Sequence, residues 1–135
     1  MLPKFRAYDL VEKEWINIRT VGLSDNGELW YLQSWDDNEN DIDPPYFEKD
    51  LGKTWVLLQS TGLLDKNGKE IYEGDILQHK VQGTGVVFYP FRDTMASFGI
   101  KNVNTNFRRN LQDTDRAGYE IIGNIFENKH LLEEE

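Results

Sequence analysis

One stretch constrains this chain more than any other: residues 60–77, S-T-G-L-L-D-K-N-G-K-E-I-Y-E-G-D-I-L. Two apolar segments flank Asp65, Lys66, Asn67 and Gly68, and Asn-Gly is the dipeptide that best tolerates the positive φ angles of a tight hairpin turn. The spacing predicts a β-hairpin. Glu73, Gly74 and Asp75 supply a second turn signal before Ile76 and Leu77 open another strand, so the segment reads as a small meander. It specifies a soluble, mainly β domain and names no chemistry.

The rest of the chain repeats this grammar. A second Asn-Gly pair, Asn26 and Gly27, lies between residues 16–23 and 28–33, both rich in β-branched and aromatic side chains, and predicts another hairpin. The two turns share only turn chemistry and generic strand residues, which does not make a repeat. Residues 5–10 alternate, with Phe5, Ala7 and Asp9 assigned to one face and Arg6 and Tyr8 to the other. Phe47 and Leu51 stand four apart and Gly52 follows, the pattern of a short helical turn, and Trp55 to Gln59 then reads as a buried strand. Val86, Val87, Phe88 and Tyr89 form a strand broken by Pro90, with residues 94–100 as its partner. Residues 102–118 are polar and turn-rich and read as a long loop. Tyr119 to Phe126 supplies the closing strand, and Asn128 caps a final turn carrying Leu131 and Leu132. The expected fold is therefore mainly β: a small, strongly bent antiparallel barrel in residues 55–135, with an N-terminal β-hairpin region in residues 1–54 and one or two short helical turns. The two regions form separate domains or one compact unit.

Composition bounds the function classes. A chain of 135 residues is long enough to bury a core, on the order of two thirds of its unfolded surface. It has no cysteine, which excludes disulfides and cysteine-based zinc sites and suits a reducing cytoplasm. Its apolar runs are too short for a signal-peptide core or a membrane span, so a cytoplasmic protein without a membrane partner is expected. The net charge of −9 opposes general attraction to a phosphate backbone.

Several pieces taken together resemble the YopX family of phage and prophage proteins. They are Thr61 to Leu63, Asp65 to Ile76, Lys4 to Asp9, Gly85 to Val87 and Tyr119 to Asn128. Residues 11–53 match much less well. The resemblance implies a phage origin and an SH3-like barrel, and it implies no activity.

The candidate sites are two. Residues 35–45, W-D-D-N-E-N-D-I-D-P-P, form an acidic run that cannot bury apolar surface and reads as an exposed loop. Asp37, Glu39, Asp41, Asp43 and Glu48 mimic the ligand spacing of a calcium loop. Ile42, however, stands where glycine is needed, and Pro44 and Pro45 stiffen the second half. With Trp35, Asp36, Asp37, Asp41 and Asp43, this run is the candidate protein-binding surface. The second candidate is the cationic cluster Lys101, Arg108, Arg109 and Arg116, with Phe107 available for base stacking; Asp113 and Asp115 dilute it. The four tryptophans, Trp15, Trp30, Trp35 and Trp55, suit core filling better than a recognition groove. His79 stands without a second ligand or catalytic partner. Gln82 to Gly85 precedes a strand and lacks the third glycine of a dinucleotide fingerprint. No cofactor, metal or catalytic set is therefore expected. The leading reading is a non-catalytic phage accessory protein that binds an unidentified host or phage protein, as a monomer or homo-oligomer. Nucleic-acid binding through residues 101–116 is the alternative, and an acidic mimic of DNA that occupies a host protein is the third.

Overall fold

The computed structural model describes residues 4–26, 28–34, 46–92, 97–111 and 118–132. Over these the chain is mainly β, built of antiparallel pairings, as expected. In chain order the strands are β1 (Phe5–Asp9), β2 (Glu14–Ile16), β3 (Ile18–Leu23), β4 (Leu29–Ser34), β5 (Tyr46–Phe47), β6 (Trp55–Leu64), β7 (Glu70–Tyr72), β8 (Asp75–His79), β9 (Gly83–Phe88), β10 (Gly99–Asn102), β11 (Arg108–Asn110) and β12 (Glu120–Asn124). The 3-10 turns Glu48–Asp50 and Lys129–Leu132 complete the described elements. The acidic run, residues 35–45, lies outside the described residues, as does Arg116. Two compact units divide the chain at Leu58 and Gln59, within β6.

In the unit Lys4–Leu58, β1 pairs with β2, and β3 pairs with β4 on either side of the Asn26 turn, with β5 added to β4. The core is Ala7, Leu32 and Trp55, all fully buried. Trp55 is pinned as well as buried: its indole Nε1 donates to the Phe47 carbonyl at 2.9 Å, and its ring meets that of Tyr46. The Tyr46 hydroxyl in turn donates to Asp9 Oδ2 at 2.8 Å, while Asp9 Oδ1 accepts from the backbone of Val11 and Glu12. Alternation along β1 does not sort buried from exposed, because Ala7, Tyr8 and Asp9 are all buried. Tyr8 is covered by the Trp15 ring across the β2 pairing, and Arg6 stacks on that same ring.

In the unit Gln59–Glu135, the predicted central hairpin forms, its connection running over residues 65–69 with positive φ at Gly68 and not at Asn67. β6 and β7 pair antiparallel through Ser60 with Tyr72 and Leu64 with Glu70, and Gly68 takes φ +83°, where a Cβ is strained. The meander reading needs correction after β7. β7 stays with β6, whereas β8 joins a second sheet in the order β11-β10-β9-β8-β12. The turn at Glu73 and Gly74 makes this switch: Glu73 donates its N–H to the Gln59 carbonyl and Gly74 to Val87, and Asp75 Oδ2 accepts from the Tyr72 N–H. Ile71 and Leu77, on either side of the switch, consequently enter one core with Val87, Ile100, Leu111 and Tyr119. Over the described residues the partner of β9 is Gly99–Asn102; residue 94 lies outside them. The closing turn Lys129–Leu132 is present, but Asn128 caps it with its carbonyl, which accepts from the Leu131 N–H. Its side chain reaches back to the Asn124 N–H.

Candidate functional site

The sequence leaves residues 102–118 as a loop, and the register corrects this over the part described. Asn102 closes a tight turn: its Oδ1 accepts from the N–H groups of Asn104 and Thr105, and its Nδ2 donates to the Gln82 carbonyl at 2.9 Å. Arg108–Asn110 then returns along β10 as strand β11, pairing Lys101 with Arg108 and Ile100 with Arg109. Cross-strand partners share a face and sequence neighbours take opposite faces. The basic cluster is therefore split. Lys101 and Arg108 occupy one side of the sheet, where the Arg108 guanidinium lies 5.3 Å from the Phe88 ring centre. Arg109 occupies the other side with Ile100, where its Nη2 donates to the Tyr119 hydroxyl at 2.7 Å.

On the Arg109 side the strands enclose a groove of roughly 370 Å³. Its floor is Gly85, Ile100 and Tyr119, its polar rim is Gln82, Thr84, Asn102 and Thr105, and Phe107 and Arg109 stand at one wall. Gly85 is required by close approach, since a Cβ there would sit 2.6 Å from Ile100 Cγ1. Phe107 is 66% exposed, a large apolar side chain held at the mouth of the groove rather than in a core. Tyr119 is buried and packs at a tilt against His79, whose Nδ1 accepts from the N–H groups of Val81 and Gln82.

The central hairpin positions this floor. Lys66 donates its backbone N–H to the Tyr119 carbonyl at 2.8 Å, and Asp65 Oδ2 accepts from the Ile121 N–H at 3.0 Å. Asp65 Oδ1 also accepts from Asn67 and Lys69, so one buried carboxylate ties the turn to the start of β12. Burial pushes this carboxyl up, but the backbone donors from Ile121, Lys69 and Asn67 and the Lys69 charge outweigh it and hold it below its usual value. Asp9 behaves alike, with burial opposed by Glu12, the Tyr46 hydroxyl and Val11. Glu73 is the reverse case, with burial pushing its carboxyl up.

Of the predicted site residues, Phe107 and Arg109 meet in this groove, and Lys101 and Arg108 lie on the opposite face. Trp35, Asp36, Asp37, Asp41, Asp43 and Arg116 fall outside the described residues. Sequence reasoning missed Asn102, Ile100 and Tyr119 as site-forming residues. Only Asn102, followed by Asn104 and Thr105, carries a local signal, that of an Asx turn.

The YopX protein family matches residues 4–133. The chain belongs to the YopX family. Among solved structures it is similar to protein EF1440 from Enterococcus faecalis, at 31% identity and a TM-score of 0.64, covering 98% of this chain and 99% of that one. It also shares its fold with yopX from Bacillus subtilis, at 18% identity and a TM-score of 0.59, covering 96% and 97% of the two chains. No curated protein matches.

Proposed function

We propose that this chain is a non-catalytic phage accessory protein of the host cytoplasm that works by binding another protein, and that the groove of its C-terminal unit is where the partner docks. The observation that carries the reading is Phe107, exposed beside a groove with an apolar floor and a polar rim. Aromatic side chains at the edge of such a concavity are the usual anchors of protein recognition. The SH3-like barrel belongs to the same reading. It is supported by the bulge in β12 between Ile121 and Gly123 and by the sheet switch at Gly74, both of which bend strands around one core.

The split of the basic residues speaks for a protein partner over nucleic acid. Binding to a phosphate backbone needs cations gathered on one surface, whereas Arg108 and Arg109 take opposite faces in a chain of net charge −9. The test is a photo-crosslinking residue placed at position 107 of the full chain in an infected host, with the same residue at exposed Val11, in the other unit, as control. A discrete protein adduct from position 107 alone, identified by mass spectrometry and competed by the purified unmodified chain, supports the reading. Adducts to nucleic acid, or equal yields from both positions, sink it.

A further inference from the structure

We infer that the partner segment is an extended peptide with adjacent acidic residues, added as a strand to the outer edge of β11; this rests on the protein-docking reading above. Three observations lead there. First, β11 ends its sheet among the described residues. The cross-strand hydrogen bonds that flank it run from Leu111 N–H to the Phe98 carbonyl and from Asn102 N–H to the Phe107 carbonyl, so Leu111 and Phe107 face β10. Bonded and non-bonded pairs alternate along an antiparallel ladder, so Arg108 and Asn110 turn their own N–H and C=O groups outward. These are the groups an incoming strand needs.

Second, residues 97–111 carry Lys101, Arg108 and Arg109 and no acidic residue, a cationic island in an acidic chain. Charge complementarity selects an acidic occupant. Third, Arg108 and Arg109 project from opposite faces of the edge strand. That arrangement suits a phosphate backbone poorly. It fits a strand, because two consecutive carboxylates of an added strand also point to opposite faces, one toward each arginine. Arg109 would sit in a non-hydrogen-bonded pair, where cross-strand side chains approach most closely, beside Phe107 and the groove.

The probe is a fluorescein-labelled peptide, Thr-Val-Asp-Asp-Val-Thr, titrated with the full chain by fluorescence anisotropy, alongside its Asn-Asn and Lys-Lys counterparts. Binding of the Asp-Asp peptide at least roughly tenfold tighter than its counterparts, with slowed amide exchange at Arg108 and Asn110, is the expected result. Asn110→Pro removes an outward donor without touching the β10 ladder, and proline is tolerated on an edge; it should weaken binding roughly tenfold. Arg108→Glu should weaken the Asp-Asp peptide and spare the Asn-Asn one, which keeps the test decisive if the proline variant unfolds. Equal binding of the three peptides, or exchange at Arg108 and Asn110 unchanged by bound peptide, overturns strand addition. So does a concentration-dependent dimer that occupies the edge. In each case a discrete adduct at position 107 would leave the docking groove standing.

Discussion

At the residue scale, buried carboxylates organise this protein more than any cation does. Asp65 accepts three backbone N–H groups and Asp9 accepts two plus a phenol, and each converts a turn into a fixed joint. Bonds to a charged acceptor are the stronger kind, and removing the acceptor strands buried donors, so Asp65→Ala is expected to cost about 3 kcal/mol in urea unfolding. The pH dependence follows from the same groups. Asp9 and Asp65 have folded values below their unfolded ones, so the stability they contribute is present above the ordinary aspartate value and is lost as pH falls through the folded one. Glu73 has its folded value raised, so its contribution is complete below the ordinary glutamate value and is lost as pH rises through the folded one. Glu73→Gln should therefore raise the unfolding midpoint at neutral pH and change it little in acid. Midpoints for the variant and the parent that differ equally across that range would refute the assignment.

At the element scale, the decisive feature is β11. Three polar residues, Arg108, Arg109 and Asn110, carry no strand propensity to speak of, and a reader of the sequence sees a loop. The strand exists because the Asn102 turn returns the chain alongside β10, and because Ile100 and Leu111 bury themselves in the core on either side of it. Hydrogen exchange should show this directly. The amides of Asn102 and Leu111, bonded to Phe107 and Phe98, are expected to be protected, while those of Arg108 and Asn110 exchange quickly in the free protein. The hairpin of β6 and β7 is the opposite case, legible locally, because Gly68 supplies the positive φ of the turn and Asp65 Oδ1 accepts from Asn67 and Lys69 within it.

At the scale of the whole molecule, two compact units carry separate cores, one on Trp55 and one on Ile71 and Leu77. All four tryptophans belong to residues 4–58, so tryptophan emission reports only that unit. Ile71→Ala opens a cavity in the other core and should cost about 3 kcal/mol, read from urea midpoints by circular dichroism. In the first core, Trp55→Phe leaves the Phe47 carbonyl without its indole donor and is expected to cost about 2 kcal/mol, read from the tyrosine and residual tryptophan emission.

By itself the sequence determined the class of fold, the central reversal, the short turn before Trp55 and the family. Each of these is encoded within a few residues by turn chemistry, by a run of β-branched and aromatic side chains, or by the contiguous letters of one motif. Only the tertiary structure decided the sheet switch at Gly74, the strand at residues 108–110, the opposite facing of Arg108 and Arg109, and the groove floored by Tyr119. These depend on which strand lies beside which, and a strand's partner and register are set by contacts far away in the chain.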